Sequence, residues 1–324
     1  MGKKILRELV TFILFILAVS FISFLLLDLS PIDPIASFAR AKGSGLDQSQ
    51  KAALIAKWGL DKPLFERYLS WLANLVRGDL GISNIYNREV IAIIKEGFAN
   101  SFVLMALAWI LQGVLGIFLG LVAGANIGSL RDKFIKAYAI IFASTPSFWL
   151  GLVLIMVFSL KLKLFPASMG SPAGVLTEDI SFADRLYHMV LPCLCLSLVG
   201  SSNIILHTRA KTEDILNEDF ISYAKARGMT KREIISKYAL KNLILPGLSL
   251  LFTYFSELFS GTILVENVFS YPGLGSLTVE AGLRSDAPLL LGLVLFYSIF
   301  VYLGNRLWDL ILPRLDVRLG GAYE

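Results

Sequence analysis

The chain is poor in the residue types on which most enzymes build a site, holding two cysteines and two histidines among 324 residues. Cys193 and Cys195 stand two apart inside an apolar run, pointing to different sides of a helix, so they do not readily bridge and read as packing residues. Their spacing matches neither a zinc nor a haem site. His188 and His207 lie near opposite ends of one helical run, about 28 Å apart at the helical rise, too far to share an ion. The sequence also lacks a G-x-x-x-x-G-K-[ST] phosphate loop and a G-x-S-x-G nucleophile motif. ATP hydrolysis by this chain alone is therefore not expected, nor is a cofactor or metal of its own. Charge is scarce as well, at 17% of residues.

What fills the space is apolar. Hydrophobic residues make up 56% of the chain and mean hydropathy is +0.68, above the range of an ordinary soluble domain. Six runs, centred on 10–27, 102–122, 134–160, 189–206, 243–265 and 289–312, are each long enough for the roughly 20 helical residues that cross a bilayer core. The expected fold class is an all-α membrane protein with six transmembrane helices. The first run follows Lys3, Lys4 and Arg7 and is longer than the apolar region of a signal peptide. With no small-residue cleavage pattern before Ser30-Pro31-Ile32-Asp33-Pro34, it is expected to stay as a helix.

A net charge of +5 would suit nucleic acid in a soluble protein, but here the basic residues sort by side of the membrane. Three precede the first run, three fall between Arg131 and Lys136, eight between Arg209 and Lys241, and three between Arg306 and Arg318. The two short loops of the other face hold only Lys161, Lys163, Arg185 and Arg284. The remaining nine lie between residues 28 and 96, in a segment long enough for the charge rule to lose force. Both termini are therefore expected in the cytoplasm, with lipid as the surrounding partner and no nucleic-acid partner.

The long outer segment repeats Trp58, Leu60, Leu64, Tyr68, Leu69, Trp71, Leu72, Leu75 and Val76 at helical spacing, which predicts short amphipathic helices outside the membrane. Its work is either that of a structural lid or that of docking a substrate-delivering protein. In the second run Gly116, Gly120 and Gly124 recur every four residues, with Gly113 one turn earlier, and predict a close helix–helix contact. Pro146, within Thr145-Pro146-Ser147-Phe148-Trp149-Leu150-Gly151, predicts a kink near the middle of the third.

One ionisable residue sits deep in a run. Glu257 shares a spacing of four, four and three with Ser249, Thr253 and Ser260, which predicts a polar stripe along the fifth helix. A carboxylate there faces a partner, water or substrate rather than lipid. It either walls a translocation path or pairs with a base of a second subunit. Asn203 and His207, one turn apart on the fourth helix, form a smaller polar face near the inner surface.

The segment from Glu218-Asp219-Phe220-Ile221-Ser222-Tyr223-Ala224-Lys225-Ala226-Arg227-Gly228 to Lys241 is charged, helix-capable and set between two apolar spans. Gly228-Met229-Thr230 breaks it, and Thr230-Lys231-Arg232-Glu233 forms a capping box that opens a second helix. This loop resembles the ATPase-docking loop of ABC-type importer permeases, with Ser222-Tyr223-Ala224 in place of the E-A-A triplet and Gly228 at the family's spacing.

Further matches follow in order along the chain: Trp58-Gly59-Leu60-Asp61-Lys62-Pro63-Leu64, Arg77-Gly78-Asp79-Leu80-Gly81-Ile82-Ser83, Phe165-Pro166-Ala167-Ser168 and Val268-Phe269-Ser270-Tyr271-Pro272-Gly273-Leu274-Gly275. Together they closely resemble the first-type permease subunit of dipeptide, oligopeptide and nickel ABC importers. The chain departs from the general importer pattern where Leu240-Lys241 replaces a Leu-Pro pair and the proline comes later, at Pro246; this fits the peptide and nickel branch. The acidic first position of the triplet is Ser222, with Glu218 and Asp219 one turn earlier.

The resemblance implies the type I importer permease fold, divided as a first helix at 1–29, an extracytoplasmic segment at 30–97, a five-helix core at 98–313 with the docking loop at 209–242, and a cytoplasmic tail at 314–324. It implies a second permease subunit, two ABC ATPases holding ATP and magnesium, and an extracytoplasmic solute-binding protein. Glu218, Asp219, Tyr223, Ala224, Arg227 and Gly228 are the docking residues it implies; Asn203, Thr253, Glu257 and Ser260 are the residues expected on the substrate path. The solute is a peptide or a nickel or other metal chelate. The competing reading is an ion-coupled secondary transporter with Glu257 as its proton or cation site, and a third is a membrane scaffold.

Overall fold

The computed structural model describes residues 2–31, 33–41, 45–167 and 181–315. Ile32, Ser168 and the expected tail from residue 316 onward lie outside the described residues. Helices dominate: α1 (Gly2–Asp28), α2 (Pro34–Ala41), α3 (Gln48–Trp58), α4 (Leu64–Val76), α5 (Val90–Gly124), α6 (Leu130–Ala143), α7 (Ser147–Leu154) with a π-helical continuation (Ile155–Lys161), α8 (Phe182–Leu216), α9 (Asp219–Ala226), α10 (Lys231–Ile234) with a second π-helical stretch (Ile235–Ala239), α11 (Leu240–Thr253), α12 (Phe255–Val268), α13 (Leu274–Leu283) and α14 (Ala287–Leu315). Among the described residues four helices are long and apolar enough to cross a membrane, and up to six if each of two bent pairs counts as one span. These coincide with the six runs legible in the sequence.

The contacts divide the chain into two compact units, one of residues 1–100 with 273–303 and one of residues 101–272 with 304–324. In the first, Val90, Ile93, Ile94, Leu274, Ala281, Leu289 and Leu293 form a core against which Leu80, Tyr86, Phe98 and Phe296 pack. A tight turn at residues 82–89, closed by one antiparallel bridge between Ile82 and Glu89, is fastened by Asp286. This fully buried carboxylate accepts from Ser83 Oγ at 2.5 Å, from the Ile85 amide at 3.0 Å and from the Leu289 amide at 3.2 Å. It thus serves the turn and the first turn of α14 together. Tyr86 adds a phenol hydrogen bond to Glu280 at 2.6 Å. The amphipathic helices expected here are present: Asp47 and Gln50 close a capping box at the start of α3, and Gly59 ends it in the left-handed conformation, φ +64°.

In the second unit the glycine spacing of α5 does what small residues do in hydrocarbon. A Cβ on Gly116, Gly120 or Gly124 would come within 2.4 to 2.6 Å of Ile204, Thr208 and Thr212, three α8 residues that repeat every four positions. Tyr138 of α6 reaches α8 at the Leu198 carbonyl and Ser201 hydroxyl, 3.3 and 3.2 Å away.

Two spans differ from expectation. At Thr145-Pro146 the chain does not merely kink: α6 and α7 with its continuation turn by 106°. Pro146 has no amide hydrogen to continue the ladder, and it adopts the extended conformation that starts α7. The fifth span is broken too, with a 55° bend between α11 and α12 at Tyr254. The stripe through Ser249, Thr253, Glu257 and Ser260 therefore does not run along one helix: Thr253 ends α11, whereas Glu257 and Ser260 belong to α12.

Candidate functional site

The loop singled out in the sequence folds as a helical hairpin. α8 continues to Leu216, and Asn217 and Glu218 turn the chain, Glu218 taking an extended conformation at the start of α9. Ile221 and Ala224 of α9 face inward: they are buried with Ile234 of α10, and Leu216 and Met229 pack against them. Gly228 sits at φ +79°, its amide donating to Lys225 O at 2.9 Å while the Met229 amide donates to Ala224 O at 3.3 Å. This left-handed residue terminates α9 and reverses the chain. A Cβ at Gly228 would meet nothing within 4 Å, so backbone conformation alone selects glycine.

The capping box forms as read. The Thr230 amide and hydroxyl both donate to Glu233 Oε2 at 2.8 Å, and the Glu233 amide returns to Thr230 Oγ1 at 3.4 Å. The Thr230 amide first, and its hydroxyl second, hold the exposed Glu233 carboxyl below its ordinary range.

Of the six candidate docking residues, five reach the surface. Glu218 and Asp219 lie at the amino end of α9 and Arg227 at its carboxyl end, Gly228 is at the bend, and Tyr223 is 66% exposed. The Arg227 guanidinium lies over the Tyr223 ring, 5.8 Å from its centroid, as an i, i+4 pair. Ala224 is different: it is buried inside the hairpin and presents nothing to a partner. Sequence reasoning missed Phe220, 41% exposed beside Tyr223; an aromatic next to the inward Ile221 was the available signal.

The base of the hairpin carries a second unforeseen feature. Arg209 Nε and Nη2 donate to the two carboxylate oxygens of Asp132 at 2.6 and 3.0 Å, tying α8 to the start of α6. Asp132 also accepts from the Gly128 amide at 2.9 Å, and Glu213 lies 3.4 Å from Arg209 Nη1.

The polar path residues are dispersed. Thr253 is exposed and its hydroxyl is turned back to Ser249 O at 2.8 Å; Glu257 and Ser260 are exposed, three residues apart on α12; Asn203 is half-buried on α8 and His207 exposed. Among the described residues Glu257 forms no ion pair and no hydrogen bond with Asn203. The enclosed carboxylate of α12 is instead Glu266. It is fully buried, accepts from Ser101 Oγ at 2.5 Å, and its backbone carbonyl accepts from the Tyr271 amide at 2.8 Å. Its sign in the sequence was its place two residues before the Val268-to-Gly275 motif.

Residues 116–321 match the model of the binding-protein-dependent transport system inner membrane component, and residues 1–101 match that family's N-terminal component. Among curated relatives, the oligopeptide transport system permease protein AppB of Bacillus subtilis (strain 168) is 30% identical over 90% of each chain. The dipeptide transport system permease protein DppB of Escherichia coli (strain K12) is 32% identical over 89% of this chain and 90% of its own. Among solved structures, the inward-facing MetNI methionine ABC transporter in its CY5 native crystal form superposes with a TM-score of 0.54 at 18% identity, covering 70% of this chain and 97% of the other.

Proposed function

Because this chain belongs to the inner-membrane components of binding-protein-dependent transport systems, a family of multi-pass membrane permeases and not of enzymes, we propose that it forms half of the translocation path of an ATP-driven peptide importer. The peptide substrate is supported by the names of two relatives that match over nearly their whole length. A nickel or metal chelate has no such support, and the ion-coupled transporter finds none in these relatives. The partners we propose are a second permease, two ATPases that hold ATP and magnesium, and a solute-binding protein on the far side of the membrane. In this reading both termini are cytoplasmic.

The observation that carries the reading is the α9–Gly228–α10 hairpin, a built, charged structure set between two spans. Its inner side is sealed by Ile221, Ala224 and Ile234, and Tyr223, Arg227, Phe220, Glu218 and Asp219 are exposed on the side an ATPase groove would meet. On one side the hairpin continues through Asn217 into the 35-residue α8; on the other it continues into α11. Movement of the ATPases on closing around ATP is thereby delivered to two membrane helices. The path opens and closes as they tilt.

Glu257 and Ser260, in the first turns of α12 just past a break, are the path-lining residues we favour. A broken span leaves backbone and polar side chains accessible where only protein or water can satisfy them. The reading is tested by purifying the chain with its ATPase in mild detergent and measuring ATP hydrolysis with and without peptide-loaded binding protein. Stimulation by peptide supports it. Uptake that persists without ATP and collapses with an ion gradient overturns it.

A further inference from the structure

Helix α4 carries two apolar faces, and only one is covered. Leu64, Tyr68, Trp71 and Leu72 pack with Phe21, Phe24 and Leu27 of α1 and with Leu291 of α14. Phe65, Leu69 and Val76 remain 61%, 47% and 82% exposed. At 3.6 residues per turn these three fall within about 40° of one another, next to the covered face, while Glu66, Ser70 and Asn74 occupy the opposite side. The helix therefore has a wide continuous apolar arc, part of it resting on α1 and the rest on nothing among the described residues.

The depth of the helix says what the rest meets. The Tyr68 hydroxyl lies 3.0 Å from Ser20 Oγ and donates to Leu17 O at 3.3 Å. Ser20 precedes Asp28, the last residue of α1, by eight positions, which is about 12 Å along a helix. Tyr68 thus reaches well into the stretch of α1 that crosses the hydrocarbon. Its neighbour Arg67 reaches the other way: its guanidinium is 2.5 Å from the Asp28 carboxylate and 5.5 Å from the centre of the Phe24 ring. A cation drawn to the span's polar end beside aromatic rings pointing inward is the arrangement of a side chain snorkelling at a membrane surface. At the same end Ile22 and Leu26 of α1, and Leu29 just beyond it, are uncovered apolar residues, 54%, 64% and 69% exposed.

We infer that α4 is an interfacial helix, lying in the surface of the leaflet at the carboxyl end of α1, with Phe65, Leu69 and Val76 inserted among lipid acyl chains. Lipid is the occupant because the face continues the lipid-exposed surface of a spanning helix at the same level, and because the polar face opposite it is the one left for water. The inference depends on α1 crossing a membrane and is independent of the substrate and of ATPase docking.

The test is spin-label accessibility in the complex as purified, reconstituted in lipid nanodiscs, with Cys193 and Cys195 replaced by alanine. Labels at Phe65→Cys, Leu69→Cys and Val76→Cys are expected to collide with membrane-dissolved oxygen and lose collision with an aqueous nickel chelate. Labels at Ser70→Cys and Asn74→Cys are expected to show the reverse. Free access of the chelate to all five positions overturns the inference. So does protection of 65, 69 and 76 from both reagents, which would mean a protein covers them. Should the variants fail to assemble, a carbene reagent dissolved in the bilayer can be applied to the unaltered protein. Tagging of the segment 64–76 is expected, and its absence while α1 is tagged counts against the inference.

Discussion

Arg209 holds Asp132 through two parallel hydrogen bonds, Nε to Oδ1 at 2.6 Å and Nη2 to Oδ2 at 3.0 Å, across 77 residues of sequence. The Asp132 side chain is 5% exposed and that of Arg209 18%, so each largely depends on the other for solvation. Asp132→Ala leaves the guanidinium only the partly exposed Glu213 at 3.4 Å, and is expected to lower stability by up to about 3 kcal/mol, the lower end of the range for breaking a buried pair. Arg209→Lys keeps the charge but loses the fork, and should recover only part of that. Thermal unfolding of the purified complex measures both. A double variant no worse than Asp132→Ala alone is the expected sign of direct coupling.

Gly228 provides a cleaner test of the bend. Because a side chain there has open space, Gly228→Val is expected to cost about 1–2 kcal/mol through its positive φ alone. Gly228→Asn, which tolerates that conformation, should retain most coupling. Peptide-stimulated ATP hydrolysis by the complex is the readout. Equal loss in the two variants would mean that the site needs a bare backbone rather than a left-handed one.

The Tyr223–Arg227 pair predicts where binding energy concentrates. Both side chains are on the surface, so Tyr223→Ala and Arg227→Ala should leave the permease folded. Each is expected to weaken ATPase association by about fivefold or more, as for aromatic and arginine anchors in other interfaces. Ala224→Ser makes the converse case: buried against Ile234, it should act on hairpin stability and not on affinity measured with folded protein. Titrating solubilised permease with the ATPase distinguishes the two.

Orientation is testable with single cysteines. At Ser49, near the start of α3, an impermeant maleimide applied to intact cells is expected to react. At Lys225, exposed on α9, reaction should require permeabilised cells. The opposite pattern would place the hairpin outside and end the ATPase-docking argument.

The membrane spans and the close-packing face of α5, though not its partner α8, were legible because both depend on short-range patterns: run length for the first, glycine every fourth residue for the second. The hairpin was legible for the same reason, since glycine and the Thr230–Glu233 box mark their turns locally. Breaks were legible only in part. Pro146 announces an interruption but not its 106° size, and Tyr254 interrupts the fifth span with neither proline nor glycine to mark it. The Asp132–Arg209 pair and the Ser101–Glu266 bond join residues 77 and 165 positions apart, and no periodicity reports such distances.

The two carboxylates of α12 should behave oppositely when neutralised. Glu257 is exposed in the first turn of the helix; Glu266 is fully enclosed and bonded to Ser101. Glu257→Gln keeps size and hydrogen-bonding capacity while removing charge, so a path role predicts an assembled complex that imports cationic peptides more slowly and neutral ones normally. Glu266→Ala removes the acceptor of the hydrogen bond from the buried Ser101 hydroxyl and opens a void, which is expected to cost about 1–3 kcal/mol. Its signature is lower yield and melting temperature, with uptake per assembled complex unchanged across peptides of different charge. Charge-selective loss in Glu266→Ala, or loss of assembly in Glu257→Gln, would exchange the roles assigned to the two residues. The second result would favour Glu257 as the partner of a buried base on the neighbouring permease, because removing its charge would then leave that base unpaired.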